Sequence, residues 1–495
     1  MTIENIFEPK SIAIIGASND LKKWGGNVLF NLIHAGFTGK IYPINYKEDI
    51  IQNLKAYKSV CDVPDTIDLA VVVVPASAVL QTIEACHAKG IKSVVMITAG
   101  FKEVGNVALE NELVALLKKY DIRMIGPNCL GILNLDKNIN VSVVQQTPKF
   151  GGISFIAQSG TMGISIVEDA VLNGVGLNKI ISTGNKADID DVDLLEYLDK
   201  DDSTKVIVIY AEGIARGKEF IKIAKNIKKP IIILKSGRSK KGSKAAFSHT
   251  GSMAGSDATY SVAFKQAGVI RVDEMAELFD AAIVFSQNLP KGNRVGIIAN
   301  GGGAGILATD LCEKYGMEMP DIEQYTKDKI KPNLKQFATA SNPTDTAADN
   351  RYEAYQSSVE GMLSDPNIDA LVVIYVHTQL ADSIPPANAI IYTVTRYDKP
   401  VIACFFGGPG YEIGAKMLEE VGIPNYTTPE RAIRALNYLL QQKKFMEKKI
   451  MIELTKDEII SQLTARVKEL EIANSSLADS AFKVIIYWRN KYENI

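Results

Sequence analysis

Short apolar segments alternate with stretches of helical periodicity along almost the whole chain. The apolar segments are rich in β-branched residues, lack polar interruptions and end at turn residues, which is typical of strands buried on both faces of a parallel sheet. The alternation predicts an α/β fold with helices on both faces of each sheet. The runs that carry predicted strands are Ser11–Gly16, Lys40–Asn45, Leu69–Pro75, Ser93–Gly100, Ile122–Asn128, Gly151–Gly160, Lys205–Gly213, Pro230–Gly237, Asn293–Gly305, Ala370–Val376 and Pro400–Gly408.

The runs fall into three sets, which fits a chain of 495 residues because two to four domains are expected at that length. We expect domains at residues 1–135, 136–290 and 291–450, and a helical tail at 451–495. The linker Asn288–Asn293 contains Pro and Gly and separates the second set from the third.

The tail has apolar residues at alternating spacings of three and four. This pattern predicts either a coiled coil or a single amphipathic helix folded back on the body, and the sequence leaves both open. Asn474 falls at an a position, where a lone polar residue often fixes the register of a two-stranded coil. The positions are Ile460, Leu463, Val467, Leu470, Asn474, Leu477, Ala481 and Val484.

The composition and the residue patterns argue against several functional classes. The formal net charge of −2, from 55 basic and 57 acidic residues, argues against a dedicated nucleic-acid binder. There is no run of 18 apolar residues and no secretory signal pattern at the start, so we expect a cytoplasmic protein without a membrane span. Five cysteines without a CxxC pair predict neither a disulfide framework nor a zinc site, and we expect no metal site in this chain.

The first candidate site is the glycine-containing loop Gly16–Gly26, directly after the first predicted strand. Glycines allow the backbone to approach a ligand closely, and a helix N-terminus attracts phosphate. The loop lacks the GxGxxG spacing of NAD sites, and the second strand ends in Asn45, Tyr46 and Lys47 rather than a carboxylate. A lysine there suits a ligand with an extra phosphate near its ribose, so CoA or NADP fits better than NAD.

The second candidate is Ser159, Gly160 and Thr161, where a strand passes into a helix. Their backbone N–H groups and hydroxyls can bind an anion. An ordinary helix cap explains the same residues equally well, because Ser and Thr are favoured at that position.

The third candidate is His249, in the run SHTGSMAGSD (Ser248–Asp257). His34 and His87 lie in helical stretches and are expected to be ordinary helix residues, and His377 at a strand end is ambiguous. His249 has small neighbours, so its imidazole can reach a phosphate, and a neutral imidazole is a competent nucleophile toward phosphorus. A plain surface loop remains the alternative.

The fourth candidate is Glu212, at the C-terminal end of a predicted strand, where ligands bind in open α/β sheets. A carboxylate there can hold an imidazole N–H and favour the cationic form. Helix capping or simple surface exposure would explain it as well.

Two glycine-containing segments are weaker candidates. Gly237–Lys244 resembles a P-loop, but its lysine and hydroxyl are interchanged, so we do not expect it to bind ATP. Asn300–Gly305 suits either phosphate binding or close backbone packing.

With SHTGSMAGSD the sequence resembles the NDP-forming acyl-CoA synthetase superfamily, which includes succinyl-CoA synthetase, and most closely its ADP-forming acetyl-CoA synthetases. An ordered series of motifs supports the resemblance over about residues 7–445, and such a series is far more specific than any one piece. The motifs are IAIIGAS, VVVVPA, ITAGF, IGPNCLG, IAQSGTMG, STGNKADIDDVDLLEYL, YAEGI, SHTG, NGGGAG, SNPTD and PERAIRAL.

The resemblance implies a Rossmann-type CoA-binding domain followed by two flavodoxin-like domains. It implies that His249 is phosphorylated, that Glu212 supports it and that Ser159–Thr161 hold phosphate. Cys129 is implied near the CoA thiol, although a buried structural role is equally consistent. Together with Lys47, the implied CoA contacts are Gly16, Ala17, Ser18, Val74, Pro75, Thr98, Ala99, Gly100 and Asn128.

The implied reaction converts acyl-CoA, phosphate and ADP reversibly into a carboxylic acid, CoA and ATP. It proceeds through an acyl phosphate and a phosphohistidine. Family members also use an ATP-grasp module for ADP or ATP with Mg²⁺, and no matching segment follows residue 450. The resemblance therefore implies an ATP-grasp β subunit as partner, in a homodimer or heterotetramer, with acetate as the default acid.

Two other hypotheses remain at this stage. A CoA- or acyl-CoA-sensing protein of the same fold would bind CoA without becoming phosphorylated. An oxidoreductase would bind NADP in the loop Gly16–Gly26, which a cofactor titration would reveal.

Overall fold

The computed structural model describes residues 3–244, 256–379, 382–453 and 456–473. Three β-sheets, each covered by helices, confirm the predicted α/β fold. His249 and the tail positions from Asn474 onward lie outside the described residues.

The first sheet is entirely parallel and has the order β2-β1-β5-β6-β7. Its strands are β1 (Ser11–Ile15), β2 (Lys40–Ile44), β5 (Leu69–Val72), β6 (Ser93–Met96) and β7 (Arg123–Ile125), with a small hairpin of β3 (Ile50–Ile51) and β4 (Leu54–Lys55) beside it. The accompanying α-helices are Glu4–Phe7, Trp24–His34, Val79–Lys89 and Val107–Tyr120, and the 3₁₀ helices are Val60–Asp62, Ala76–Ala78 and Lys102–Val104.

The second sheet has the order β14-β13-β12-β10-β11-β8-β9 and is parallel except for its last two pairings. Its strands are β8 (Gly131–Asn134), β9 (Ile139–Ser142), β10 (Phe150–Ala157), β11 (Leu177–Ser182), β12 (Val206–Ala211), β13 (Ile231–Lys235) and β14 (Ile270–Val272). Its helices are Gly160–Leu172, Asp191–Lys200, Gly217–Asn226, Asp257–Ala267 and Met275–Val284, with the 3₁₀ helix Leu135–Lys137. The expected boundary at residue 135 therefore passes through the β8–β9 hairpin, and the domain limits stay a prediction.

The third sheet is parallel, with the order β16-β15-β17-β18. Its strands are β15 (Val295–Ala299), β16 (Thr344–Asp345), β17 (Ala370–Val376) and β18 (Val401–Phe406). Its helices are Gly302–Lys314, Gln324–Ile330, Tyr352–Ser364, Ile384–Val394, Glu412–Glu420 and Pro429–Glu453, with the 3₁₀ helix Lys331–Asn333.

All three sheets reverse their strand order at the same place. In each, the second of the parallel strands lies on one side of the first and the third lies on the other: β1 separates β2 from β5, β10 separates β11 from β12, and β15 separates β16 from β17. Consecutive crossovers therefore leave in opposite directions and open a crevice at the carboxyl ends of the strands, where ligands bind in open α/β folds.

The hydrophobic cores continue from one sheet to the next. Ile12 of the first sheet and Ile209 of the second belong to one buried cluster, and Val208 and Val372 join the second and third sheets in another. Polar contacts reinforce the first junction, since the Asn134 side chain donates to the carbonyl of Phe7 at 2.8 Å. The three layers therefore share buried surface.

The second and third layers are also joined by a buried ion cluster. The Asp280 carboxylate, on the helix Met275–Val284, accepts hydrogen bonds from Arg431 at 2.6 and 2.9 Å and lies 3.5 Å from Arg434. The Asp280 side chain is 2% exposed. Tyr426 donates to the backbone carbonyl of Asp280 at 2.8 Å.

The tail begins as the helix Lys456–Ala473. Ile460 and Leu463 are partly buried and Val467 is buried, whereas their neighbours from Ser461 to Lys468 are exposed. These three positions of the apolar stripe are therefore at least partly covered within this chain, and the coiled coil stays a prediction. No helix in the described part of the chain is both long and apolar enough to cross a bilayer.

We predict that Asp280→Asn lowers the free energy of unfolding by about 2–3 kcal/mol, because it removes the carboxylate from a buried ion cluster. We expect a smaller loss of unfolding free energy than for a fully buried ion pair, because the side chains of Arg431 and Arg434 keep part of their surface in water. Urea denaturation followed by circular dichroism measures it. Asp310→Asn, at an exposed helix position, is the control, and an equal loss in both variants would contradict the prediction.

Candidate active site

The crevice of the first sheet is lined by backbone in very close contact. Gly16 follows β1 at φ +95°, and a Cβ atom there would lie 2.4 Å from the carbonyl oxygen of Val73, which follows β5. A Cβ on Gly25 would lie 2.0 Å from the carbonyl oxygen of Gly16. Only glycine fits at both positions, so the loop brings the N-terminus of the helix Trp24–His34 down onto the sheet edge.

The side-chain amides of Asn45 and Gln52 hold this loop in place by hydrogen bonds to its carbonyl oxygens. Asn45 donates to the carbonyl of Ala17 at 2.8 Å. Gln52 donates to the carbonyls of Ser18 and Gly26 at 3.1 and 2.8 Å. Because these bonds occupy carbonyl oxygens, the loop is a preformed structure rather than one that a ligand must order.

The other implied CoA contacts gather at the same edge. Thr98 donates its hydroxyl to the carbonyl of Val74 at 2.7 Å, and the backbone N–H of Asn128 donates to the carbonyl of Thr98 at 2.9 Å. Pro75 and Ala99 are exposed. The carboxyl ends of β1, β5, β6 and β7 thus bring together residues that are more than a hundred positions apart in sequence.

Lys47 lies at the end of β2, on the outer side of the crevice. Its side chain is exposed, and its ammonium lies 5.2 Å from the centre of the Tyr46 ring.

Cys129 is buried beneath the edge rather than presented to it. Its thiol is 2% exposed and donates to the carbonyl of Met96 at 3.2 Å. Burial raises the pKa of the Cys129 thiol to about 12, so it stays protonated at neutral pH and has a structural role. All five cysteines are free thiols.

The crevice of the second sheet is bridged by Gln158, which follows β10. Its side-chain oxygen accepts the backbone N–H groups of Glu212 and Gly213 at 2.8 and 3.1 Å. Gln158 is 4% exposed. The bridge fixes the loop after β12 against the loop after β10, across the point where the strand order reverses.

Ser159 caps the helix Gly160–Leu172 in conformation, but its hydroxyl makes no capping hydrogen bond to the helix backbone. It lies 3.2 Å from the Thr161 hydroxyl instead. Gly160 packs tightly, because a Cβ there would lie 2.7 Å from the Leu130 side chain. The first N–H groups of the helix and two hydroxyls therefore share one small region, as an anion site requires.

Glu212 lies directly after β12 and is 7% exposed, so it is a buried carboxylate at the sheet edge as predicted.

His34 ends the helix Trp24–His34 and stacks on Phe30, and His87 stacks on Tyr120, so both are ordinary helix residues. His377 follows β17 and contacts the Tyr375 hydroxyl at 3.3 Å.

A polar network joins the carboxyl edge of the first sheet to that of the second, and sequence reasoning missed it. The Asn185 side chain donates to Glu103 and Glu110 at 2.6 and 2.8 Å and accepts from the Asn128 side chain at 3.3 Å. Lys102 donates to the carbonyl of Asn185 at 2.6 Å. Burial alone would raise the pKa of Glu103, but hydrogen bonds from Asn185 and two backbone N–H groups outweigh it and lower the pKa.

In the third sheet the Asn300 side chain makes a hydrogen-bonded bridge like that of Gln158 in the second sheet. Its side chain accepts the N–H of Val376 at 2.7 Å and donates to the carbonyl of Val376 at 3.0 Å. Asn300 thus has a structural role across the reversal point. A Cβ atom on Gly301, Gly302, Gly303 or Gly305 would come no closer than 3.2 Å to a neighbouring atom, so close backbone packing does not require these glycines.

Three family models match successive parts of the chain. A CoA binding domain matches residues 10–134, a succinyl-CoA ligase like flavodoxin domain matches residues 150–285, and a ligase-CoA domain matches residues 295–442. These matches confirm the expected order of a CoA-binding domain followed by flavodoxin-like domains.

Proteins that match most of this chain have names consistent with these domains. The alpha subunit of acetate–CoA ligase [ADP-forming] II from Pyrococcus furiosus is 44% identical over 89% of this chain and 98% of its own length. An ADP-forming acetate–CoA ligase from Methanocaldococcus jannaschii is 44% identical over 94% of this chain and 67% of its own length. A Candidatus Korarchaeum cryptofilum acetyl-coenzyme A synthetase 1, solved with phosphate and ADP, has a TM-score of 0.88 and 39% identity, over 92% of this chain and 99% of its own.

A chain with this fold and these relatives is an acid–thiol ligase that uses CoA and a nucleotide. It belongs to the family of ADP-forming acetate–CoA ligases, and it corresponds to their alpha subunit, which works with a further subunit.

We predict that Gly25→Ala weakens CoA binding at least about tenfold, because the added methyl group must displace the Gly16 carbonyl and with it the loop. Gly217→Ala is the matched control, since a Cβ there meets no atom within 4 Å. Calorimetric titration with CoA measures the dissociation constants, and melting temperatures show whether the variants fold. An unchanged dissociation constant in Gly25→Ala would place CoA away from this loop.

Proposed function

We propose that the chain converts acyl-CoA and phosphate into a carboxylic acid, CoA and a phosphoryl group on His249, which ADP then receives. A phosphate oxygen attacks the thioester carbonyl, the C–S bond breaks and CoA leaves, giving an acyl phosphate. An imidazole nitrogen of His249 attacks phosphorus, and the carboxylate leaves. The P–N bond then breaks as ADP takes the phosphoryl group and becomes ATP.

The observation that carries this proposal is the contact between the carboxyl edges of the first two sheets. Asn128 at the end of β7 contacts Asn185 at 3.3 Å, and Asn185 follows β11 of the second sheet. An acyl phosphate formed at one edge is therefore made next to the edge that must accept its phosphoryl group. The chemistry needs this proximity because an acyl phosphate that diffuses away is lost to water.

We assign CoA to the first crevice. Its pyrophosphate lies against the loop Gly16–Ser18 and the helix N-terminus, and Lys47 binds the 3′-phosphate. Its pantetheine chain passes Val74, Pro75 and Thr98–Gly100 toward Asn128. The close approaches at Gly16 and Gly25 support the assignment, because they leave the backbone open to a bulky anion.

We assign phosphate to Ser159, Gly160 and Thr161 at the helix N-terminus, where N–H groups and the helix dipole favour an anion. Glu212 accepts an N–H of the His249 ring. This bond favours the cationic phosphoimidazole and leaves the other nitrogen free to attack.

The nucleotide and Mg²⁺ belong in this proposal to an ATP-grasp β subunit, in a heterotetramer or a related homodimer-based assembly. Acetate is the proposed acid, which is also the acid in the names of the two curated relatives. We place the later domain limits at residues 290 and 450, and the cytoplasmic location stays a prediction.

The first test is phosphorylation of the purified chain. Incubation with acetyl phosphate, or with acetyl-CoA and labelled phosphate, should give an acid-labile and base-stable label that His249→Ala abolishes. His34→Ala, at an exposed helix end, is the control and should keep the label. A wild-type chain that binds CoA but takes no label, even with a β subunit present, would instead be a CoA-sensing protein.

The second test concerns the division of labour. The chain alone should form phosphohistidine but no ATP from ADP, because the proposed nucleotide site lies on the partner. Adding an ATP-grasp β subunit with Mg²⁺ should discharge the label into ATP, measured by luminescence. ATP formation by the chain alone would move the nucleotide site onto this subunit.

A further inference from the structure

Leu130 lies between the regions assigned to CoA and to phosphate, and the reaction as proposed gives it no role. It comes two residues after Asn128, where the assigned path of the pantetheine chain ends. Its side chain is partly buried. A Cβ atom on Gly160 would lie 2.7 Å from Leu130 Cγ, 3.1 Å from Cδ1 and 3.2 Å from Cδ2. Leu130 therefore packs on the first residue of the helix whose N-terminus is assigned to phosphate.

The direction of the Cβ atom shows where on the helix Leu130 lies. In an α-helix each Cα–Cβ bond tilts toward the helix N-terminus. Gly160 is the first residue of the helix Gly160–Leu172, and the Leu130 side chain occupies the space that a side chain at this position would take. The glycine thus makes room for Leu130 at the N-terminal end, beside the hydroxyls of Ser159 and Thr161.

The backbone of Leu130 is fixed by the second sheet. Its N–H donates to the hydroxyl of Ser182 at 2.9 Å, and its carbonyl accepts the N–H of Val143 at 3.1 Å. Ser182 is the last residue of β11 and is 3% exposed. Gly131 follows at φ +94°, and a Cβ there would lie 2.0 Å from the carbonyl oxygen of Val141. Leu130 and the phosphate site therefore belong to the same rigid layer.

The two residues before Leu130 direct their side chains to other partners. The Asn128 amide donates to Asn185 at 3.3 Å, and the Cys129 thiol donates to the carbonyl of Met96 at 3.2 Å. Leu130 is the member of this turn whose side chain meets Gly160. The turn thus places an apolar side chain between the end of the assigned CoA path and the anion site.

We infer that Leu130 forms a wall of the acyl pocket and limits the size of the acyl group that the chain accepts. A phosphate oxygen attacks the thioester carbon, so this carbon must lie within reach of both the thiol end of CoA and the bound phosphate. The substituent on that carbon then lies against the apolar side chain between them. A leucine there leaves room for a small group such as acetyl and opposes a branched one.

The inference rests on the proposed function, because it takes the end of the CoA path at Asn128 and the phosphate at Ser159–Thr161. It adds a substrate class to that function, namely thioesters of short unbranched acids. The size of the expected effect follows from apolar pockets in general, in which one methylene group changes substrate preference about 10- to 200-fold.

The experiment compares the binding of CoA, acetyl-CoA and isobutyryl-CoA to the purified chain by calorimetric titration. Isobutyryl has an isopropyl group where acetyl has a methyl group, and Leu130→Ala removes an isopropyl group from the wall. Wild type should bind isobutyryl-CoA at least about tenfold more weakly than acetyl-CoA. Leu130→Ala should reduce this ratio at least about tenfold and should change the dissociation constant of free CoA less than about twofold.

Two further variants control for folding and for the mere loss of a leucine. Leu172→Ala removes the same atoms from a residue that is 81% exposed at the other end of the helix, and should keep the wild-type ratio. Leu130→Val is a milder change that leaves a smaller cavity. It should shift the ratio in the same direction by a smaller factor, and it provides the test if Leu130→Ala melts too low to be titrated.

A wild type that binds both acyl-CoAs equally well would overturn the inference. So would an unchanged ratio in the Leu130 variants, or an equal loss of affinity for all three ligands, which is the result expected of a leucine with a structural role alone. The phosphorylation test separates this inference from the proposed function. A shifted ratio in a chain that takes no label on His249 would refute the phosphohistidine and support the pocket, whereas a labelled chain with an unchanged ratio would refute only the pocket.

Discussion

The architecture depends on one topological constraint, which is the reversal of strand order at the first parallel strand of each of the three sheets. The reversal leaves two loop ends side by side with no crossover above them, and each sheet closes this gap differently. In the first sheet Gly16 brings the backbone into direct contact with Val73. In the second and third sheets the amides of Gln158 and Asn300 bridge the gap by hydrogen bonds. The candidate site occupies the first two reversal points, and the third carries a structural bridge of the same kind.

Shared packing holds the carboxyl edges of the first two sheets together. The buried clusters run from the first sheet into the second and from the second into the third, and the Asn185 network lies directly between the two edges. Separate domains on flexible linkers would lose much of the benefit of proximity, since each transfer would need a docking step. Here the distance between the proposed thioester and phosphoryl sites is set by the cores, and it does not depend on a linker.

The sequence predicted those elements whose signal is local. Continuous β-branched runs marked most parallel strands, and Gly16, Ser159 and Glu212 were recognisable because each follows such a run. The strand Leu177–Ser182 was missed because Asn178 and Lys179 interrupt its apolar pattern, yet Asp201 binds both side chains and makes their burial acceptable. Gln158 and Asn185 could not be found from the sequence, since their partners lie on distant segments. The phosphohistidine at His249 remains a prediction.

The number of residues between His249 and Asp257 sets an upper bound on a distance. Asp257 begins a helix and pairs with Arg271 on β14 of the second sheet. Eight peptide steps separate His249 from Asp257, and they span at most about 28 Å when fully extended. If His249 carries the phosphoryl group, as we propose, its Cα atom lies within that distance of a fixed point on the second sheet. Under the same proposal, the nucleotide that receives the group has to come within reach of that sphere.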